Sequence, residues 1–300
     1  MARPWEAEQT VDGPRATRLI EAQFPSLGPV RVEPFGVGWD NTAYLVNGDY
    51  VFRFPRRQMA VPFLENECRV LPLITGRVPL PVPKPEFIGV ASPDFGWPFS
   101  GYRLLAGRTA DRAKLDDRQR TETAKPLARF LRTLHGLDVD AGPDTINRLD
   151  AASRAPKIRT MLADLNEPAA RFEAVIEDAA GTSPRGRGTL VHGDLYSRHL
   201  LVDDVGVLGG VIDWGDVHCG DVAVDLSVAW SVLPRSAHDA FRAEYGEIDD
   251  PTWRLARFKA LLTAVSIALY GCETGDLDLE REGRWTMESV ATPPSRRSPP

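Results

Sequence analysis

The sequence predicts an α+β fold in two parts, a small antiparallel-sheet lobe followed by a larger, mainly helical lobe. Three observations carry that expectation. Between residues 30 and 103, short β-branched and aromatic runs alternate with Gly, Pro, Asn and Asp, the punctuation of strands and tight turns. Beyond Gly107, apolar residues instead recur at i, i+3, i+4 and i+7, the spacing of one helix face. A single strand-rich stretch at 189–226, TLVHGDLYSRHLLVDDVGVLGGVIDWGDVHCGDVAVDL, interrupts the helices and gathers several Asp and His residues.

In chain order, residues 11–24 read as a helix and 30–55 as a three-stranded meander. GVGWDN at 36–41 separates the first strand from TAYLV, and Asn47-Gly48 is a two-residue hairpin signal before YVFRFP. In that third strand, alternation puts Val51 and Arg53 on one face and Tyr50, Phe52 and Phe54 on the other, so one face can pack a core while the other meets a ligand. A helix at 65–74 carries Glu67, PLPVPKP at 79–85 is extended, and a further strand pair ends in FSGYRLL. Strand signals stop within 101–107, which divides the chain into an N-terminal lobe at 1–104 and a C-terminal lobe at 105–290. Leu127, Phe130, Leu131 and Leu134 mark a helix closed by His135 and Gly136. Residues 155–180 give one or two more helices, and TSPRGRG at 182–188 is a loop. Within the central stretch, 200–202 and 207–212 are strands joined through Asp203, Asp204 and Gly206. Helical spacing returns at 222–233, 238–245 and 251–270. The Pro- and Ser-rich residues 291–300 cannot bury apolar area and are expected to be disordered.

At 300 residues the chain can bury a substantial core, and 43% hydrophobic with 26% charged residues names no partner by composition. A net charge of -6, with only short basic clusters such as Arg56-Arg57, argues against nucleic acid. Cys68, Cys219 and Cys272 are too few and too scattered for a disulfide framework or a CxxC metal site, which fits a reducing cytoplasm. The N-terminus lacks an apolar signal core, and no unbroken apolar run approaches the ~20 residues that a bilayer requires. No membrane partner is therefore expected, and nothing in the sequence speaks to oligomeric state.

Phosphoryl transfer needs a carboxylate to orient the attacking hydroxyl, a metal near the phosphates, and cationic or backbone donors on the phosphate oxygens. Each has a candidate. Asp194, in a His-Gly-Asp turn after an apolar strand, stands where a base would accept the hydroxyl proton. Asp213, emerging at a strand end before Trp214-Gly215, is the expected metal carboxylate. His199 is a second ligand candidate, although Mg²⁺ favours oxygen and the imidazole could simply bond within its loop. Asp225 and His192 could brace the loop from behind, Asp225 equally being an ordinary helix N-terminal residue. Arg53 could reach phosphates with Glu67 as its partner, unless it is merely solvated. Gly36 and Gly38 are a weak phosphate-loop signal, since the full GxGxxG is missing.

Taken together, HGDLYSRH, VIDWGD and GDVAVDL resemble the aminoglycoside phosphotransferase family, and the resemblance extends back through GWDN, VFRFPRR and ENECRVLPL. It implies a two-lobed protein-kinase-like fold and transfer of phosphate from ATP or GTP, with Mg²⁺, to a hydroxyl of an antibiotic-like acceptor. On it, Asp194 is the catalytic base, His199 and Asp213 are the metal ligands, and Glu67 is the helix Glu. Backbone groups of Tyr102 and Leu104 would meet the nucleotide base. Aminoglycoside kinases commonly have Asn at the position of His199 and Lys at that of Arg53. The two replacements, with PRR and LY beside them, resemble the macrolide branch, which favours GTP. For the acceptor, Glu244, Glu273, Asp276 and Asp278 could attract a polycation, and Leu261, Val265, Leu269 and Tyr270 could line an apolar pocket. Both sets also have bland readings, as solvated acids and as core. Two further classes stay open: a nucleotide-binding pseudokinase, or a metal hydrolase built on His192, Asp194, His199, Asp213 and His218.

Overall fold

Asp12 begins the first element: its carboxylate accepts the Arg15 amide at 2.8 Å and caps α1 (Gly13–Gln23), with a proline in the first turn where a missing N–H does no harm. This computed structural model describes residues 6–184 and 188–292. The tail expected to be disordered lies outside the described residues from 293 onward, as do 185–187 of the expected loop. The chain forms two compact units, one comprising the residues up to Ala106 with Ile212–Val217, the other Gly107–Val211 with His218 onward.

In the first unit, β1 (Val32–Val37), β2 (Asn41–Val46) and β3 (Tyr50–Pro55) form the expected meander. Asn47 and Gly48 take left-handed φ values of 54° and 78°, as a tight hairpin turn between right-twisted strands demands. Next comes α2 (Val61–Ile74), four residues longer at its start than the pattern predicts because Pro62 is tolerated in the first turn. β4 (Pro85–Gly89) and β5 (Phe99–Arg103) complete an antiparallel sheet of order β1-β2-β3-β5-β4. Phe52 and Phe54 enter an aromatic core, Phe54 stacking on Phe99 at 4.8 Å and Phe52 on Phe87 at 5.5 Å. The opposite face of β3 is also covered: Val51 is 2% and Arg53 6% exposed, so Arg53 is not a solvated surface residue.

The second unit opens with β6 (Arg108–Thr109), α3 (Ala110–Ala113) and α4 (Asp117–His135), the last closed at Gly136 as its apolar stripe predicts. Asp116 and Gln119 form a reciprocal capping box at the start of α4. α5 (Ala151–Asp164) and α6 (Glu173–Ala180) occupy the region expected to hold one or two helices. The central stretch then folds as β7 (Thr189–Val191), β8 (Leu200–Val202), β9 (Leu208–Val211) and β10 (His218–Gly220). β8 and β9 are the expected hairpin; Asp203 accepts the amides of Val205 and Val207 at 3.0 and 2.8 Å across its turn. α7 (Ala223–Leu226), α8 (Val228–Val232), α9 (His238–Tyr245), α10 (Asp250–Thr274) and α11 (Leu277–Ala291) finish the unit.

By length and composition α10 could cross a bilayer, yet 83% of its most apolar window is buried inside the protein, so it is the unit's core helix. The buried face of α11 mixes Glu282, Gly283 and Thr286 with Leu279, Met287 and Val290. Gly283 permits the helix contact: a Cβ there would stand 2.7 Å from the Ala264 carbonyl oxygen of α10. Glu282 is paired with buried Arg120 of α4 through two 2.8 Å bonds.

Candidate active site

In the second unit, β7 delivers His192, Gly193 and Asp194 into a turn where Gly193 adopts φ 93°, a conformation that disfavours a side chain. Asp225, fully buried on α7, holds that turn: its carboxylate accepts the His192 amide at 2.7 Å and the Gly193 amide at 2.9 Å. His135 Nε2 lies 3.1 Å from the same carboxylate, which can only accept, so Nε2 carries the proton. His135 Nδ1 then accepts from the Tyr245 hydroxyl at 2.8 Å. Burial alone would push the Asp225 carboxyl up, but the His135 hydrogen bond, the nearby imidazoles and the Gly193 amide hold it below the usual carboxylate range.

Asp194 itself keeps a side chain 34% exposed, within reach of an incoming molecule. Its backbone carbonyl accepts from His199 Nδ1 at 2.6 Å, which fixes the imidazole tautomer and leaves the lone pair on Nε2, the nitrogen a metal would use. The His199 ring packs on Tyr196, with centroids 4.3 Å apart. A cation that the sequence does not single out stands near Asp194: Lys259 of α10 places Nζ 3.5 Å from Asp194 Oδ1. Arg198 ties the same loop to Asp111 at 2.8 Å and to Asp276 at 2.6 Å.

In the first unit, Arg53 spans two carboxylates. Its Nη1 donates to both Glu67 oxygens at 2.7 and 2.9 Å, and its Nη2 to Asp213 Oδ1 at 2.5 Å. Burial works against the Arg53 charge, but Asp213 and Glu67 outweigh it and hold the guanidinium firmly protonated. For Glu67, burial dominates over Arg53 and pushes the carboxyl above its usual range. Asp213 takes φ 64°, an uncommon conformation that Asp tolerates better than most residues, and its side chain is 44% exposed. Asn66 donates to the Val217 carbonyl at 2.8 Å and secures the 212–217 segment.

The other expected nucleotide residues are less engaged. Nothing lies within 4 Å of a Cβ built at Gly36, and at Gly38 the nearest atom is 3.8 Å away, so neither glycine is required by packing. Tyr102 is buried, which raises its hydroxyl pKa, and the Leu104 amide donates to the Asp49 carbonyl at 2.8 Å. Three of the four acidic residues expected at the acceptor have arginine partners, and the four apolar ones are buried. Glu244 bonds Arg129, Asp276 bonds Arg198 and Asp278 bonds Arg281, while Leu261, Val265, Leu269 and Tyr270 are all 8% exposed or less. Among the described residues there is no group of three or more His, Cys, Asp or Glu that could hold a metal ion.

The profile described as the Phosphotransferase enzyme family matches residues 31–258, ending one residue before Lys259. Among solved structures, the GDP and kanamycin complex of APH(2")-IIia is similar at a TM-score of 0.71 and 29% identity, covering 92% of this chain and 97% of that one. A macrolide 2'-phosphotransferase type I shares the fold at a TM-score of 0.57 and 20% identity, covering 95% of this chain and 100% of that one. The uncharacterized protein YcbJ of Bacillus subtilis (strain 168) is 26% identical over 201 residues, 59% of this chain; the match spans 61% of that relative's length.

Proposed function

Because the chain belongs to the phosphotransferase enzyme family, we propose that it transfers the terminal phosphoryl group of ATP or GTP to a hydroxyl of a small molecule. The observation that carries this reading is buried Arg53, shared between Glu67 and Asp213. Such an arrangement sets one cation and one half-exposed carboxylate where phosphate oxygens and their metal would be handled. Asp194 takes the acceptor's hydroxyl proton while that oxygen bonds to the γ-phosphorus; the bond from phosphorus to the bridging oxygen breaks and nucleoside diphosphate leaves. Asp213 fits a hard divalent cation, and His199 can offer Nε2, a nitrogen that Mg²⁺ takes less readily, so Asp213 has the larger share. When bound, Mg²⁺ would neutralise charge on the phosphate oxygens.

An aminoglycoside or a macrolide is the acceptor class to try first, with GTP beside ATP because GDP occupies the related kanamycin complex. A non-antibiotic hydroxyl metabolite is the second reading. It is favoured by the Arg partners of Glu244, Asp276 and Asp278, which leave these three less able to attract a polycation. A coupled nucleotide-consumption screen, with ATP and GTP over aminoglycosides, macrolides and simple sugar alcohols, tests both. Acceptor-dependent consumption that EDTA abolishes is the expected result. A nucleotide-induced thermal shift with no transfer to any acceptor would instead make the protein a pseudokinase.

Arg53→Lys gives a second test. A lysine ammonium cannot fork between Glu67 and Asp213 as the guanidinium does. The KM for nucleotide is expected to rise ~3–10-fold with kcat changed less, as steady-state kinetics would register.

A further inference from the structure

Lys259 has no packing reason to be charged. Around it on α10, Ala256, Ala260, Leu261 and Ala264 are all 0% exposed, and the lysine side chain itself is 8% exposed. A buried ammonium is unfavourable unless it has hydrogen bonds and a counter-charge. Thr263 Oγ1 supplies the first at 2.8 Å, and Asp194 Oδ1 the second at 3.5 Å. His199 Nδ1 stands 3.9 Å from Oδ2, beyond hydrogen-bond reach.

We propose that Lys259 is a positioning residue for Asp194. The inference rests on Asp194 being the base. By drawing Oδ1 toward α10, Lys259 orients the carboxylate so that Oδ2 is presented to the hydroxyl.

Two variants of the full chain separate charge from packing. Lys259→Met retains the length without the charge, and Lys259→Arg retains the charge. Nucleotide hydrolysis, with water standing in for the acceptor, needs no identified substrate. Lys259→Met is expected to lower its kcat at least about tenfold with the KM for GTP unchanged within about twofold, Tm at or above wild type, and Lys259→Arg recovering most of the rate. Unchanged kcat in Lys259→Met, or equal losses of kcat and Tm in both variants, would overturn the positioning role. Asp194→Ala in parallel keeps the two readings apart: if it hydrolyses like wild type, the base assignment fails; if it is inactive while Lys259→Met is normal, only the lysine proposal fails.

Discussion

Asp194→Ala should reduce phosphate transfer by about 10²–10⁴-fold, the contribution typical of a positioned general base, while leaving the KM for nucleotide close to wild type. The fold should survive, because the turn is held through the His192 and Gly193 amides rather than through the Asp194 side chain. Lys259 would lose its counter-charge but keep the Thr263 hydroxyl at 2.8 Å, so a modest fall in Tm is the expected side effect. Asp194→Asn should be as inactive as the alanine variant. The amide keeps the size and polarity of the side chain but cannot take up the proton. Wild-type turnover in either variant, measured by coupled nucleotide consumption, would move the base elsewhere.

What the sequence reveals and what it hides divide along one line: whether a residue's partner is near it in the chain. Asn47-Gly48 and the alternation of YVFRFP are local signals, and the antiparallel sheet follows them. The α4 stripe is also local, and that helix ends at His135. α11 is hidden because its inward Glu282 makes sense only beside Arg120, 162 residues away in the chain. Arg53 and Glu67 could be paired by resemblance, yet the further bond from Arg53 to Asp213 spans 160 residues and has no sequence signature. The ion pairing of Glu244 is hidden for the same reason, since its partner Arg129 comes from α4, 115 positions away. Lys259 follows Arg254 and Arg257 in the same helix, so the sequence does not single it out. Its significance depends on Asp194, which only the folded chain brings beside it.

Asp225→Ala should be the most damaging change away from the reacting atoms. It strands two buried amides, those of His192 and Gly193, and removes the acceptor for His135. Each orphaned buried donor costs ~1–3 kcal/mol, so a loss of about 3–5 kcal/mol is expected in chemical denaturation. Asp225→Asn should fall between, since one oxygen still accepts while the amide nitrogen opposes a donor. Because the folded-state pKa of Asp225 is depressed, its ionisation stabilises the fold above the unfolded value of ~3.9. That contribution is lost as pH falls through the folded value. The stability gap between wild type and Asp225→Asn should therefore be full near neutrality and shrink below about pH 4. Activity should fall further than stability: under conditions where Asp225→Asn remains folded, an unclamped His-Gly-Asp turn lowers kcat, since Asp194 is then less often oriented for the proton it must accept. A variant that lost stability but retained wild-type kcat while folded would reduce Asp225 to a structural brace.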